Sequence, residues 1–474
     1  MVLQTSLQSF DRISSADHPL AAKDPARKPP LPVRFASRCS PSSGRWVLLA
    51  VALLLAGCGN LARLAADIRE SSQQLRVVSG TLAGGICPDC EWIVVVLGDV
   101  QGDAVHNFRV FEQAGRFRIA ALRDSRHLFA FQDVNRDFSY QPGEPAVWHD
   151  LDPEEMARGV PAAVSLNAAT ALNRPAPAGL ENIFDLRGTS LGQIDVQLGV
   201  VSDLSDARFS PESATMGMWE PVGYLKTGRA GVFFLEPYDP TRTPVLFVHG
   251  IRGTPRSFSG IIDALDRTRF QAWVLNYPSG LDLRALGDGL VGLLAELRHR
   301  YGFGTLHIVS HSMGGLLTRE YLAECARAGG CDYVSSVVSI STPFAGIAAM
   351  GTWLEYARVV MPVWRNLAPD GPFMRDLFAL PLPSGVSYHL LFGYLNASTL
   401  SRSSGDGVIP LESQLRLAAQ NEAVAVRGFN EDHVSILSNT ELQRYINDAL
   451  QRPDFRSVAR HPRSVSPLRQ SAER

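Results

Sequence analysis

The feature that most constrains this sequence is a series of short, continuous apolar runs in its C-terminal half, separated by segments of helical character. Val245–Val248, Ala272–Leu275, Leu306–Ser310, Val334–Ile340 and Tyr388–Leu395 are such runs. Between several of them lie the helix-like segments Ser257–Thr268, Leu283–His299 and Gly315–Ala328. A strand buried on both faces reads as a continuous apolar run, and such strands alternating with helices imply a mostly parallel sheet covered on both sides. In that architecture the chemistry sits at the carboxyl ends of the strands.

The chain has 474 residues, too many for one ordinary core. From about Arg76 to Val200 it reads as short strands separated by turns, among them Trp92–Leu97, Phe117–Leu122, Leu128–Gln132 and Ile194–Val200. The expected fold class is therefore α/β over residues 215–452, preceded by a small β-sandwich-like domain over 76–205. Within the latter, Asp133, Asn135, Asp137 and Glu144 stand at positions 1, 3, 5 and 12 of an EF-hand-like spacing. Position 6 is Phe138 rather than Gly, and strand-like Leu128–Phe131 precedes the loop where an entering helix is required. The segment is closer to the D-x-N-x-D loop with Gly-Glu-Pro of transthyretin-like and carboxypeptidase-regulatory-like sandwiches. An Asx-rich turn is favoured over a Ca²⁺ site, and no metal is expected.

Arg45 precedes the apolar run Trp46–Leu55, which ends in Ala56-Gly57-Cys58. A charged flank, a short apolar stretch and small residues at its end describe a signal peptide, and the run falls short of the ~20 residues of a spanning helix. Leu55-Ala56-Gly57-Cys58 resembles the lipobox of bacterial lipoproteins. The resemblance implies a diacylated Cys58 as mature N-terminus; a plain anchor helix or an ordinary cleaved signal is the alternative. Residues 1–45, rich in Pro, Ser and Arg, are expected to be a disordered leader or the product of a misplaced start, with 46–57 as the signal and 58–75 as a tether, in which 61–76 could instead form a short amphipathic helix. Gly59 follows the Cys where an inner-membrane retention signal would have Asp, which favours the outer membrane. In an exported chain, Cys87 with Cys90 and Cys325 with Cys331 are expected to form local disulfides. The formal net charge of -2 gives no reason to expect nucleic acid as a partner.

The chemistry concentrates at Ser310-His311-Ser312-Met313-Gly314-Gly315, where an apolar run meets a helix-like segment. A serine hydroxyl is a weak nucleophile and needs exposure and a neighbouring base. G-x-S-x-G sequences provide the exposure at a sharp strand-to-helix turn, with small residues two before and two after the Ser so that the backbones can close together. Ser310 replaces the first Gly here, the next smallest choice. Taken alone, the motif would be hard to tell from a chance Ser-rich turn. It is accompanied by Val248-His249-Gly250-Ile251 at the end of an earlier run, where Gly250 leaves the backbone open to approach.

Residues 215–450 resemble bacterial α/β-hydrolases of the lipase type. The matching pieces are Pro244–Gly250, Ser310–Gly315, Ile340-Ser341-Thr342-Pro343-Phe344-Ala345-Gly346, Gly405–Pro410 and His433. Phe344 stands where the Thr-Pro-His-x-Gly turn of lipases often has His. The resemblance covers about half the chain and implies acyl-transfer chemistry with Ser312 as nucleophile, without a metal or organic cofactor. It also implies an oxyanion hole from the backbone amides of Ile251 (or Arg252) and Met313, and an order Ser, acid, His. His433 fits as base, on a loop entering a helix. His389 lies inside a strand-like run, and His461 lies in the Arg- and Pro-rich tail 453–474, expected to be disordered. Asp406, flanked by Gly405 and Gly407, is the expected acid, with Glu412 and Asp432 as alternatives.

Residues 346–384 carry dense apolar and aromatic side chains, consistent with either a lid-like insertion or ordinary helix packing. The expected function is a serine carboxylic ester hydrolase, an esterase or lipase with phospholipase included. It would act on an ester or lipid at the membrane that holds its anchor. An acyltransferase of the same fold, or a non-catalytic surface lipoprotein binding a partner through its sandwich, are the alternatives.

Overall fold

A computed structural model describes residues 59–69, 75–88, 90–98, 105–111, 113–159, 163–178, 180, 195–328, 331–356, 360–395 and 404–451. The expected leader, signal segment, Cys58 and tail lie outside the described residues. Among those described, no helix is long and apolar enough to cross a membrane.

The chain first forms a helix over 59–69 (α1). Seven strands follow: β1 Leu75–Gly84, β2 Glu91–Leu97, β3 Val105–Phe111, β4 Gly115–Leu122, β5 His127–Asp133, β6 Ala146–Asp150 and β7 Val164–Ala168. They make two sheets, β4-β1-β7 and β3-β2-β5-β6. Val78, Phe117 and Ile119 of the first sheet meet Trp92, Val94, Val96, Leu128 and Ala130 of the second. Ile93, Val95, Phe129 and Phe131 point the other way and are covered by Phe138 and Leu180. Burial on both faces explains why β2 and β5 read as continuous apolar runs.

The α/β domain is built on one eight-stranded sheet in the order β15-β14-β13-β12-β10-β11-β9-β8. Its strands are β8 Val196–Val201, β9 Ala230–Phe234, β10 Thr243–Val248, β11 Phe270–Asn276, β12 Leu306–His311, β13 Val334–Ile340, β14 Ser387–Gly393 and β15 Ala425–Phe429. The six strands from β10 to β15 run parallel, and β9 and β8 run opposite to them. The chain leaves β10 for β11 on one side and returns for β12 on the other, so the ends of β10 and β12 form the topological switch point where sites are built. Helices α2 Pro211–Trp219, α3 Pro221–Leu225, α4 Leu283–Tyr301 and α5 Met313–Ala328 carry the parts used below.

The boundary of the α/β unit differs from the expectation. The strand read at Ile194–Val200 appears as β8 and pairs with β9, so the α/β unit begins near residue 195 and not 215. The segment read as a short amphipathic helix or a tether is helix α1, whose Leu64 and Ile68 are buried in the main core of the α/β unit. Asp67 accepts hydrogen bonds from the amides of Val222 and Gly223 at 2.9 and 2.6 Å, capping α3 where the side chain of its own N-cap residue Glu220 makes no capping bond. The helix expected over 257–268 is shorter, a 3₁₀ turn Pro255–Phe258 continuing into Ser259–Asp263.

The Asx-rich loop has a structural use. Asp133 accepts from the amides of Asp137 and Phe138, and Glu144 accepts from those of Val134 and Gln141. The candidate ligands are thus turned onto their own loop, and no group of three or more metal-type side chains forms among the described residues. Folded this way, the loop presents Phe138, whose ring lies 3.7 Å from that of His299 on α4. Arg109 of β3 clamps the Asp288 carboxylate on the same helix at 2.8 and 2.9 Å and bonds its carbonyl at 3.0 Å. The sandwich is docked along α4.

Between α4 and α5 lies Glu320, buried, with its Oε1 lacking a hydrogen-bond partner. Burial pushes its carboxyl up to about 7, with Arg284 pulling it down and Glu324 pushing it up. The folded protein therefore holds a proton that an unfolded chain releases above the ordinary value of 4.5. Stability is unaffected at lower pH and declines as pH rises towards 7, after which the penalty is complete. Glu320→Gln is expected to match the parent at pH 3.5, below the unfolded value. At pH 8 it should exceed it by a few kcal/mol, at ~1.4 kcal/mol per unit. Urea unfolding at both pH values measures this; equal stability at pH 8 would contradict the buried, unpaired carboxyl.

Candidate active site

Ser312 occupies the one-residue junction between β12 and α5, with a left-handed backbone at φ +56°. Its amide donates to Ile340 O of β13 at 2.8 Å, and Gly315 closes the turn onto Ser312 O at 3.0 Å. A Cβ on Gly314 would lie 2.2 Å from Val248 O, and one on Gly250 would lie 2.7 Å from the Cβ of Ser312. The two glycines are thus required by the close approach of the β10 loop to the elbow. Ser310 fits in place of the first Gly because its hydroxyl is buried and donates to Val338 O at 3.1 Å.

The structure brings Ser312, His433 and Asp406 together. Ser312 Oγ is 2.9 Å from His433 Nε2, and His433 Nδ1 is 2.6 Å from Asp406 Oδ2. An ionised carboxylate only accepts, so Nδ1–H donates and Nε2 is left to accept the serine proton. Asp406 has no exposed surface, and its Oδ1 accepts from the amides of Ile409 and Val408 at 2.6 and 3.0 Å. Burial pushes the Asp406 carboxyl up. The hydrogen bond and charge of His433, with those two amides, outweigh it and hold the group below its ordinary value.

The loop of His433 is fixed from two sides. Its amide donates to Asp406 O at 2.9 Å, and its carbonyl accepts from His311 Nε2 at 2.8 Å. Burial, and then the neighbouring His433, drive the His311 imidazole down to about 3, so it stays neutral and serves as a fixed donor.

Around Gly250 the backbone polar groups are used one by one. Tyr277 Oη donates to His249 O at 2.6 Å, and His249 Nδ1 donates to Gly250 O at 2.8 Å. The amide of Arg252, at φ +52°, donates to Ser279 Oγ at 3.0 Å. Arg252, the alternative oxyanion donor, is therefore engaged elsewhere. The amides of Ile251 and of Met313, the first residue of α5 and so without an intrahelical acceptor, are not used in this way. Tyr277 and Ser279 escaped the sequence reading; the signal for them is Asn276-Tyr277-Pro278-Ser279, polar groups placed where an apolar run ends.

The other candidates fall outside this constellation. Glu412 is exposed, and Asp432 is exposed and caps its own turn by accepting from Val434 and Ser435 amides. His389 is buried in β14 and bonds Tyr445 Oη. His461 and Cys58 lie outside the described residues. Cys87–Cys90 and Cys325–Cys331 form disulfides, the first in the sandwich and the second joining α5 to the residues before β13. In the insertion, Met361, Val363, Leu367, Phe373, Met374 and Leu377 belong to the main core, so ordinary packing accounts for these residues.

Residues 243–368 match the sequence model of the family described as alpha/beta hydrolase fold. A triacylglycerol lipase of Burkholderia plantarii is 27% identical over 143 residues, which cover 28% of this chain and 38% of that lipase. The chain thus spans well under half the length of that curated relative. Among solved structures, the mature lipase BlEst2 of Bacillus licheniformis overlaps 45% of this chain and 96% of its own, at 20% identity and TM-score 0.37. Lipase B of Aspergillus fumigatus overlaps 48% and 57%, at 17% identity and TM-score 0.37. The family match and the strand order establish an α/β-hydrolase fold in the C-terminal half.

Replacing Asp406 by Asn keeps the shape but turns the wrong tautomer of His433 towards Ser312. Asp406→Asn is expected to lower kcat for ester hydrolysis on the order of 10⁴-fold, the size of this loss in a serine protease, with an unchanged circular dichroism spectrum. A loss under about tenfold would remove Asp406 from the constellation.

Proposed function

We propose that the protein is a serine carboxylic ester hydrolase acting through an acyl-enzyme. The observation that carries this reading is the continuous chain of contacts from Asp406 through His433 to Ser312 Oγ at the strand-to-helix turn. Ser312 Oγ attacks the acyl carbonyl carbon as its proton passes to His433 Nε2. The carbonyl oxygen gains negative charge, which the amides of Ile251 and Met313 stabilise; losing one such donor costs roughly 100- to 1000-fold in a known protease. His433 then returns the proton to the leaving alcohol as the C–O bond breaks. Water, deprotonated by the same Nε2, releases the acid and restores Ser312. Asp406 holds the tautomer and balances the imidazolium without taking the proton.

The lipobox-like Leu55–Cys58 supports an exported enzyme held by acyl chains on Cys58, with the outer membrane favoured by Gly59. Substrates are then esters or lipids at that membrane surface, phospholipids included. Hydrolysis of p-nitrophenyl esters from acetate to palmitate, beside Ser312→Ala, tests the reaction. Turnover by the parent that falls at least about 1000-fold in Ser312→Ala is expected, and equal turnover by both would overturn the assignment.

A further inference from the structure

The docked position of α1 bears on where the hydrolase meets its membrane. A flexible segment over 58–75 would let the enzyme wander roughly 20 Å from its anchor. The segment after Cys58 is instead helical from residue 59, and is held by buried Leu64 and Ile68, by Asp67 on the amides of α3, and by Arg63 on Glu220 at 3.5 Å. The residue that follows Cys58 in sequence thus begins a helix that is fixed to the α/β unit from Arg63 onward.

The place where α1 lands is the carboxyl end of the sheet. Asn276, the last residue of β11, bonds Tyr224 Oη of α3 at 2.7 Å and Arg229 O at 2.8 Å. Gly280, in the loop leaving β11, donates to Gly217 O of α2 at 3.0 Å. The β8 end beside α3 is tied there too, through Asp195 N to Leu225 O at 2.7 Å. Ser312 and His433 stand at the same end, beyond β12. The loops around the triad also leave large aliphatic side chains in the open: Val434 next to His433 at 67% exposure, Val408 near Asp406 at 60%, and Leu395 after β14 at 44%. These are among the few large apolar residues exposed on the described chain, and they sit beside the groups that must meet substrate.

We propose that α1 fixes the active-site end of the hydrolase against the bilayer that holds the acyl chains of Cys58. Val408, Val434 and Leu395 meet the lipid surface, and the enzyme takes its esters from that same membrane. This rests on the lipid anchor and the ester hydrolase reading above.

The test is a depth measurement on the full chain, made in a Gram-negative host and reconstituted into phosphatidylethanolamine–phosphatidylglycerol vesicles with brominated acyl chains. A fluorophore is attached at Val434→Cys or, separately, at Thr268→Cys. Thr268 is exposed just before β11 at the opposite end of the sheet, about 20 Å away at ~3.3 Å per residue. Quenching by the lipid is expected to be at least threefold greater at 434 than at 268. Equal quenching, stronger quenching at 268, or a mature chain whose mass lacks acyl groups on Cys58 would each overturn the proposal. Quenching needs no catalysis, so p-nitrophenyl butyrate turnover by the unlabelled protein reports separately on the hydrolase reading.

Discussion

The left-handed backbone of Ser312 is the constraint on which the rest of the site depends. A non-glycine residue at φ +56° is held there only when its surroundings over-determine it. Here β13 takes the Ser312 amide, and two glycines let β10 close over the turn. The parallel sheet is what puts those strands side by side, with their carboxyl ends at one level. Once the serine is raised out of the sheet, the loops after β14 and β15 need only bring an acid and an imidazole to its open side. Each of those loops is then pinned by its own backbone bonds, Asp406 by Ile409 and Val408 and His433 by Asp406 and His311.

Much of this was legible because sequence pattern and burial coincide. Strands covered on both faces read as unbroken apolar runs, so β10 to β14 could be located within a few residues. Ser312, Asp406 and His433 could be singled out because glycines or a strand end mark each turn. The parts that escaped depend on contacts between distant segments. β8 has the composition of a sandwich strand, and only its pairing with β9 assigns it to the α/β sheet. Asp67 reads as an ordinary surface acid until its carboxylate meets the amides of Val222 and Gly223, about 155 positions away. The D-x-N-x-D spacing suggested ligands, yet the same oxygens satisfy backbone amides and leave Phe138, the residue that spoils the EF-hand pattern, as the side chain with the structural task.

The sandwich and helix α1 serve the site in different ways. The sandwich is docked along α4 by an ion pair and an aromatic contact. Helix α1 lands at the carboxyl end, on the helices next to the loop that carries Ser279. That serine takes the Arg252 amide, which leaves the Ile251 amide as the remaining candidate donor in this loop. The helix over 59–69 is thus continuous with the structure that shapes the site.

The most direct test of the central claim is to treat the protein with a fluorophosphonate and locate the adduct by peptide mass. Only a serine made nucleophilic by a neighbouring base reacts quickly with such a reagent. The account predicts one adduct, on the peptide containing Ser312, with labelling lost when His433 is replaced by Ala. An unlabelled protein, or an adduct on another serine, would contradict it.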